Sequence, residues 1–357
     1  MMANSVYEQL AQALDRLPNG FPRTMSKVEI AILRKIFMPE EASLASQLTG
    51  EMEHVDAVTE RVGLPADEVK TRLIEMAKRG LVRSDQQGGK PRFRLAPFIV
   101  GIYEAQLDRM DHELAHLFEK YMAEGGAAGI MKPQPALHRV VPAQRAVKSD
   151  WILPYDDVRA ILLSSKSFRL HDCVCRKQQD HIGRRCNFPV RTCLIFSSAE
   201  QPPSPYDVSQ KEILTFLDKA EEIGLVHTVS NVMNGIGYVC NCCGCCCGVL
   251  RGINDWGIEN SVAQANYFAV VNPVECSGCG TCIERCQVHA ISRNNGIAVV
   301  DHDRCIGCGL CVTGCPSNVA KLQLKPHVEI VNPPVDFTAW ERERLLNRGS
   351  VSENRHR

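Results

Sequence analysis

The chain has 357 residues, of which 45% are hydrophobic and 23% charged, and its 41 basic residues balance 41 acidic ones. Such a composition is typical of globular proteins and argues against a disordered or fibrous chain. A formal net charge of zero provides no overall attraction to nucleic acid or to an anionic membrane. The 18 cysteines all follow position 170, so metal or redox chemistry is the question that the composition raises.

The N-terminal residues contain no basic stretch followed by an apolar one, and no run of 18 apolar residues occurs. The sequence therefore predicts neither a secretory signal nor a membrane span. We expect a cytoplasmic protein. In that compartment thiols stay reduced, and clustered cysteines are metal ligands more often than disulfides.

The first organised segment extends from Ser26 to Leu95. Apolar residues at helical spacing predict three helices, the last of which ends at Gly80, and two strands joined by a Gln-Gln-Gly-Gly turn follow. This order resembles the winged helix-turn-helix of bacterial regulators. The resemblance leaves two roles open, a DNA reader and a docking or packing module.

Charge favours the second role for this segment. Between Arg23 and Arg94 there are 13 basic and 11 acidic residues, a net charge of only +2. A DNA reader usually has a more basic face. Basic side chains do occur where a recognition helix and wing would contact phosphate, at Lys70, Arg72, Lys90, Arg92 and Arg94.

Two later segments complete the N-terminal half. Apolar residues at helical spacing predict one continuous helix over residues 96–123. Glycines, alanines and prolines after position 124 predict a linker. Farther on, Ser209 with Glu212 three residues later predicts a capping box, and the helix that it begins should end at Gly224.

The strongest signal is a repeated cysteine pattern near the C-terminus. The unit Cys-x2-Cys-x2-Cys-x3-Cys begins at Cys276 and recurs 29 positions later at Cys305. Zinc does not account for it, because a tetrahedral zinc site would leave the spacing of the third and fourth cysteines unexplained. Glycines between the cysteines permit tight turns around a bound group.

This repeat closely resembles the bacterial two-cluster ferredoxin domain, in which the fourth cysteine of each unit ligates the other cluster. The resemblance implies two 4Fe-4S clusters. It assigns one cluster to Cys276, Cys279, Cys282 and Cys315, and the other to Cys305, Cys308, Cys311 and Cys286. One departure is Gln287, which follows Cys286 where the family usually has proline, whereas Pro316 follows Cys315.

Ten cysteines lie outside the repeat, and at four per cluster they would serve two centres with two left over. Cys173, Cys175, Cys186 and Cys193 have the right number for one further iron–sulfur cluster. The adjacent thiols of Cys240, Cys242, Cys243, Cys245, Cys246 and Cys247 cannot all face one centre, because neighbouring side chains of an extended chain project to opposite sides. Structural zinc and free or redox-active thiols remain alternatives for these ten residues.

The fold class that we expect is α+β and multidomain. The domains predicted are a winged-helix-like domain with its following helix at 1–124, a linker at 125–150, a Cys-rich α/β middle domain at 151–262, a two-cluster ferredoxin domain at 263–330, and a charged, solvated C-terminal helix and tail at 331–357. The combined Cys-rich segments resemble ferredoxin-like iron–sulfur proteins of anaerobic bacteria.

The function predicted is iron–sulfur electron transfer to or from a redox partner protein, as a carrier or a subunit of an oxidoreductase rather than a stand-alone enzyme. No glycine-rich nucleotide motif or nucleophile elbow occurs, so we expect no nucleotide cofactor and no catalytic residue. The alternative is a redox-sensing iron–sulfur transcription regulator that binds DNA through its N-terminal segment.

Overall fold

The structure is a computed structural model that describes residues 2–353, with side chains described from residue 6 to residue 349. Helices and strands in several sheets confirm the mixed α and β class. No helix in this described part is long and apolar enough to cross a membrane. The chain forms two compact units, a first of Met1–Pro133, Lys177–Arg184 and Arg344–Arg357, and a second of Gln134–Arg176 and Arg185–Glu343.

The N-terminal part of the first unit combines helices with a small antiparallel sheet. Strand β3 lies in the middle and pairs with both β1 and β2. The helix before Gly63, the left-handed Gly63, the helix after it and the hairpin follow one another as predicted from the sequence, whereas α3 and β1 were not predicted. The elements are α1 (Met2–Asp15), α2 (Val28–Ile36), α3 (Pro39–Ser46), β1 (Glu53–His54), α4 (Val55–Val62), α5 (Ala66–Lys78), β2 (Val82–Gln87), β3 (Lys90–Leu95), α6 (His112–Tyr121) and α7 (Ala127–Met131).

The continuous helix predicted over residues 96–123 is wrong. Backbone angles are not helical at Ile99, Val100 and Gly101, and a regular helix begins only after Asp111, whose carboxylate accepts a hydrogen bond from the Leu114 amide. Apolar spacing concealed the break because both segments contribute to one core. The rings of Phe98 and Phe118, for example, lie 5.7 Å apart.

The linker predicted at 125–150 is also wrong, because this stretch contains the buried helix α7 and a fully buried strand, β4 (His138–Val141). Small residues serve close packing here rather than flexibility. A Cβ atom added to Gly129 would lie 2.5 Å from the Pro22 side chain, so glycine is required for this contact.

The C-terminal residues are less solvated than predicted. Helix α14 (Phe337–Glu353) carries Arg344, whose side chain is fully buried and donates hydrogen bonds to the carbonyl oxygens of Pro18, Ile130 and Pro133. These three acceptors account for the burial of a charged group in a stretch that otherwise alternates charges. Residues 354–357 of the predicted tail lie outside the described residues.

The second unit is built on a five-stranded antiparallel sheet with the order β4-β7-β8-β6-β5. Helices α8 and α10 cover one face, where Leu162, Leu194, Leu217 and Val239 form part of the core. The capping box and the glycine stop of α10 are confirmed. The elements are α8 (Val158–Leu163), β5 (Ser167–Asp172), the beginning of α9 (Val174–His181), β6 (Arg191–Ser197), α10 (Gln210–Ile223), β7 (Val226–Ser230), β8 (Tyr238–Cys242) and α11 (Gly248–Asn254).

The cysteine repeat folds into two short helices and two small antiparallel sheets, in which β9 pairs with β12 and β10 with β11. Each short helix begins directly after a glycine with positive φ. The elements are β9 (Tyr267–Val271), α12 (Thr281–Glu284), β10 (Ile291–Asn294), β11 (Ile297–Val300), α13 (Leu310–Thr313) and β12 (Ala320–Leu324).

Candidate metal centres

Two cavities lie within the cysteine repeat, and each is lined by four thiols. The cavity that we call the outer cavity is lined by three cysteines of the first copy and one of the second, Cys276, Cys279, Cys282 and Cys315. The inner cavity is lined by three cysteines of the second copy and one of the first, Cys305, Cys308, Cys311 and Cys286. The chain thus brings together the same sets of four that the sequence groups.

Glycines shape the loops that carry these thiols. Gly278 and Gly307 occupy equivalent positions in the two copies, with φ of +67° and +70°. A Cβ atom on Gly278 would lie 2.0 Å from the Gly296 carbonyl oxygen, and one on Gly307 would lie 2.3 Å from that of Tyr267. Both the backbone conformation and the space therefore require glycine.

The two cavities differ in electrostatic environment. At the exposed Cys279, hydrogen bonding with Thr281 lowers the pKa of the thiol. In the inner cavity, burial raises the pKa of Cys308 to about 12 and that of Cys311 well above its usual value. The Ala290 amide donates a hydrogen bond to Cys286 Sγ at 3.1 Å, the type of contact that stabilises a thiolate ligand.

The donor set fits an iron–sulfur cluster in both cavities. Each presents four sulfur ligands in a pocket whose other lining residues are mostly apolar, among them Val271, Ala298, Ile291 and Ile306. Burial raises the pKa of Cys308 and Cys311, which disfavours free thiolates at these positions. Ligation by iron offsets this effect, because a coordinating thiol is deprotonated.

A third group of thiols lies in the middle region, and we call it the compact quartet. It consists of Cys186, Cys243, Cys245 and Cys246, whose Sγ atoms all lie within 4.8 Å of one another. Three members come from the tight turn between β8 and α11, in which the Cys247 amide donates to the Cys243 carbonyl oxygen at 3.1 Å.

Apolar and charged groups surround the compact quartet. Its Cys243 and Cys246 pack with Ala220 and Leu225 at the end of α10. Hydrogen bonding with Cys245 and Cys246, together with the nearby Arg176 guanidinium, lowers the pKa of Cys243 far below its usual value. Contact with Cys243 in turn raises the pKa of Cys245 and of Cys246.

The six remaining thiols, all buried or half-buried, form a second group, which we call the sheet group. Cys193 and Cys240 lie opposite each other on β6 and β8, and Cys242 follows on the same face two residues later. Contacts between thiols continue from Cys240 to Cys242 and onward to Cys247, Cys175 and Cys173. Thr228 Oγ1 lies 3.5 Å from Cys242 Sγ.

This arrangement divides the ten middle-region cysteines differently from the sequence grouping. The predicted set of Cys173, Cys175, Cys186 and Cys193 is split, because Cys186 joins the compact quartet. The cysteines from 240 to 247 contribute to both groups, as the argument that neighbouring side chains diverge requires. Strand pairing and the loop after α9 decide the grouping, and neither is visible in cysteine spacing.

Two residues contact the candidate metal centres although the sequence did not predict these contacts. The Gln287 side-chain oxygen accepts a hydrogen bond from the Gly244 amide at 2.8 Å, and Asn254 Nδ2 donates to the Gln287 carbonyl oxygen at 3.0 Å. Gln287 thereby joins Cys286, an inner-cavity residue, to the turn of the compact quartet. Its replacement of the usual proline was the signal. Arg176, which interacts with Cys243, is the second of these residues, and no pattern in the sequence indicated it.

Comparison with known proteins supports the interpretation of the repeat. Residues 260–320 match the model of the 4Fe-4S dicluster domain family. This segment contains all eight cysteines of the two cavities. Searches of curated proteins and of solved structures gave no match to the chain. The C-terminal part of the protein therefore contains a ferredoxin-type iron–sulfur domain, and such a domain implies redox partners.

Proposed function

We propose that the protein transfers electrons to or from a partner oxidoreductase through two 4Fe-4S clusters in its C-terminal domain. The observation that carries the proposal is the pair of cavities, each lined by four thiols drawn crosswise from both copies of the repeat. When bound, the clusters supply one-electron transfer, and the chain supplies ligands, burial and hydrogen bonds.

The ligand sets follow from the lining of the two cavities. Cys276, Cys279, Cys282 and Cys315 would hold one cluster, and Cys286, Cys305, Cys308 and Cys311 would hold the other. The partner would exchange electrons at the outer cavity, since Cys279 and the preceding loop are exposed. Electron exchange with another protein requires a cluster near the surface.

The sheet group supports a further iron–sulfur centre. Cys173, Cys175, Cys242 and Cys247 form consecutive thiol contacts, and Cys173 also interacts with Cys242, so the four lie together as one group. Cys193 and Cys240 adjoin this set across two strands. Four thiols with two left over is the division expected for one cluster and a neighbouring pair.

Metal and sulfide analysis of anaerobically purified protein tests the proposal. We expect about eight irons and eight sulfides per chain from the C-terminal domain, and about four more of each from the sheet group. The double variant Cys282→Ser/Cys311→Ser should lose the eight. Preparations with zinc but no acid-labile sulfide would contradict the proposal, as would unchanged iron in this variant.

The redox-sensing regulator is the second candidate, and the helix and hairpin order of the first unit is what favours it. Ion pairs weaken the case for DNA binding, because carboxylates already neutralise two of the basic side chains that would contact phosphate. Arg72 pairs with Glu68 at 2.8 Å and Arg92 with Asp85 at 2.6 Å. We therefore propose that this segment serves docking or packing rather than DNA binding.

A further inference from the structure

Thiol spacing sets the compact quartet apart from the two cavities. Cys245 and Cys246 Sγ lie 3.7 Å apart, and all four Sγ atoms lie within 4.8 Å of one another. Four sulfurs about 2.3 Å from one tetrahedral ion lie about 3.8 Å apart. The observed spacing is therefore that of ligands sharing a single ion.

A cubane requires a wider arrangement, because each thiolate binds its own iron at a corner of the cluster. Among the described residues, no other group of three or more metal-binding side chains is as close as the compact quartet. The quartets of the outer and inner cavities are accordingly more open. The same chain thus contains two kinds of four-thiol site.

Local backbone structure keeps the compact quartet closed. The turn that carries three of the thiols folds back on itself through the hydrogen bond from the Cys247 amide to the Cys243 carbonyl oxygen. Gly244 lies at its centre, and a Cβ atom there would lie 2.0 Å from the Gln287 carbonyl oxygen. Four protein ligands with no open position are typical of structural ion sites.

Charge provides a second, independent observation. The Arg176 side chain is 3% exposed and donates hydrogen bonds to Thr192 Oγ1 and to the Asn241 carbonyl oxygen. It forms no ion pair with a carboxylate in the described part of the chain, and its Nε atom has no hydrogen-bond acceptor there. A buried guanidinium without a counter-charge is strongly destabilising.

Thiolates supply the missing negative charge. Arg176 interacts with Cys243 of the compact quartet and with Cys173 and Cys242 of the sheet group. A divalent ion with four thiolate ligands carries two net negative charges, and a buried arginine beside it offsets one of them. If the four thiols of the compact quartet were neutral, only the sheet group would compensate Arg176.

We propose that Cys186, Cys243, Cys245 and Cys246 bind one tetrahedrally coordinated thiophilic ion, zinc or iron, without inorganic sulfide. The ion has a structural role. It holds the turn whose Gly244 amide binds the Gln287 side chain, and so fixes the chain next to Cys286 of the inner cavity. The site is distinct from the clusters of the proposed function and does not depend on them.

Metal analysis of the full chain, purified without oxygen, tests this site. We expect one ion per chain beyond the iron that acid-labile sulfide accounts for. The double variant Cys243→Ser/Cys246→Ser should lose that ion and keep its sulfide. Cys173→Ser/Cys175→Ser is the matched control, because it alters two neighbouring half-buried thiols of the sheet group and should lose iron and sulfide together.

A measurement on the unaltered protein covers the case in which the variants fail to fold. X-ray absorption at the zinc edge, or at the iron edge after subtraction of the cluster signal, should show four sulfur neighbours at about 2.3 Å. Loss of iron and sulfide in equal amounts from Cys243→Ser/Cys246→Ser would overturn the proposal, and so would an unchanged metal content. A chain that keeps this ion but lacks sulfide would contradict the proposed function alone.

Discussion

The two copies of the cysteine repeat share a pattern but not an environment. In the first copy the loop before Cys279 is exposed, and Val274 has 92% of its surface accessible. In the second copy the residues before Cys305 are exposed as well. Between the ligands, however, Ile306 is almost inaccessible where the first copy has the exposed Ser277. Identical ligand spacing therefore supports one site with an exposed thiol, Cys279, and another whose four thiols are all at least partly buried.

The fourth cysteine of each copy lines the cavity whose other three cysteines belong to the other copy. Cys286 belongs to the first copy, yet it lines the inner cavity and is followed by Gln287, whose side chain is hydrogen-bonded to the Gly244 amide. Cys315 belongs to the second copy, yet it lines the outer cavity and is followed by the exposed Pro316. The residue after the fourth cysteine is therefore a hydrogen-bonded glutamine in one copy and an exposed proline in the other.

The largest expected effect is the difference in iron loss between the replacement of a buried ligand and that of an exposed one. Cys311→Ser should remove the whole inner cluster, about four irons per chain, because a buried hydroxyl is a poor ligand and is costly to leave without a partner. Cys279→Ser should cost only about one iron, since water reaches this corner of the outer cavity. Iron and sulfide assays on both variants measure the difference. Equal losses would contradict the distinction between the cavities.

Glycine substitutions should have the next largest effect. Gly307→Ala should destabilise the domain by about 3 kcal/mol, because the added methyl group meets the Tyr267 carbonyl oxygen in the buried loop. Gly296→Ala is the control. Its φ is +82° but nothing lies within 4 Å of its Cβ position, so strain alone should cost about 1 kcal/mol.

Thermal loss of visible absorbance, measured without oxygen, would compare these glycine variants with Gly278→Ala. The last should resemble Gly307→Ala in direction but with a smaller effect, because its loop is exposed and more easily adjusts. A Gly307→Ala protein as stable as Gly296→Ala would show that the inner loop is not closely packed.

Sequence patterns were sufficient where ligands are close along the chain. The repeat grouped the same thiols that line each cavity, since loops of two or three residues leave little freedom. Ligation of clusters by these thiols stays a prediction. The ends of α10 were equally predictable, because Ser209 and Gly224 are local signals.

Sequence patterns failed where tertiary pairing decides. Cys186 joins Cys243 only because the loop after α9 returns to the turn before α11, and the pairing of β6 with β8 brings Cys193 to Cys240. Predictions from composition were also wrong at two places. Glycine and alanine near Gly129 indicated a linker but serve close packing, and Arg344 looked solvent-exposed but donates to buried carbonyl groups.

The smallest expected effect concerns two arginines in matching roles. Arg285 Nε donates to the Leu310 carbonyl oxygen beside the inner cavity, and Arg293 Nη2 donates to the Gly278 carbonyl oxygen beside the outer one. Burial lowers the pKa of Arg285, although interaction with Cys308 and Cys311 opposes the shift, so its charge acts on the inner site through little solvent. Arg293 is exposed.

Substitution of each arginine by methionine therefore sharpens the comparison. Arg285→Met should lower the reduction potential of the inner cluster by on the order of 50 mV, because a nearby positive charge stabilises the more negative, reduced state. Arg293→Met should change the outer potential much less, since water and salt screen an exposed charge. Redox titration followed by electron paramagnetic resonance measures both shifts. If the exposed arginine had the larger effect, burial could not be what distinguishes the two sites.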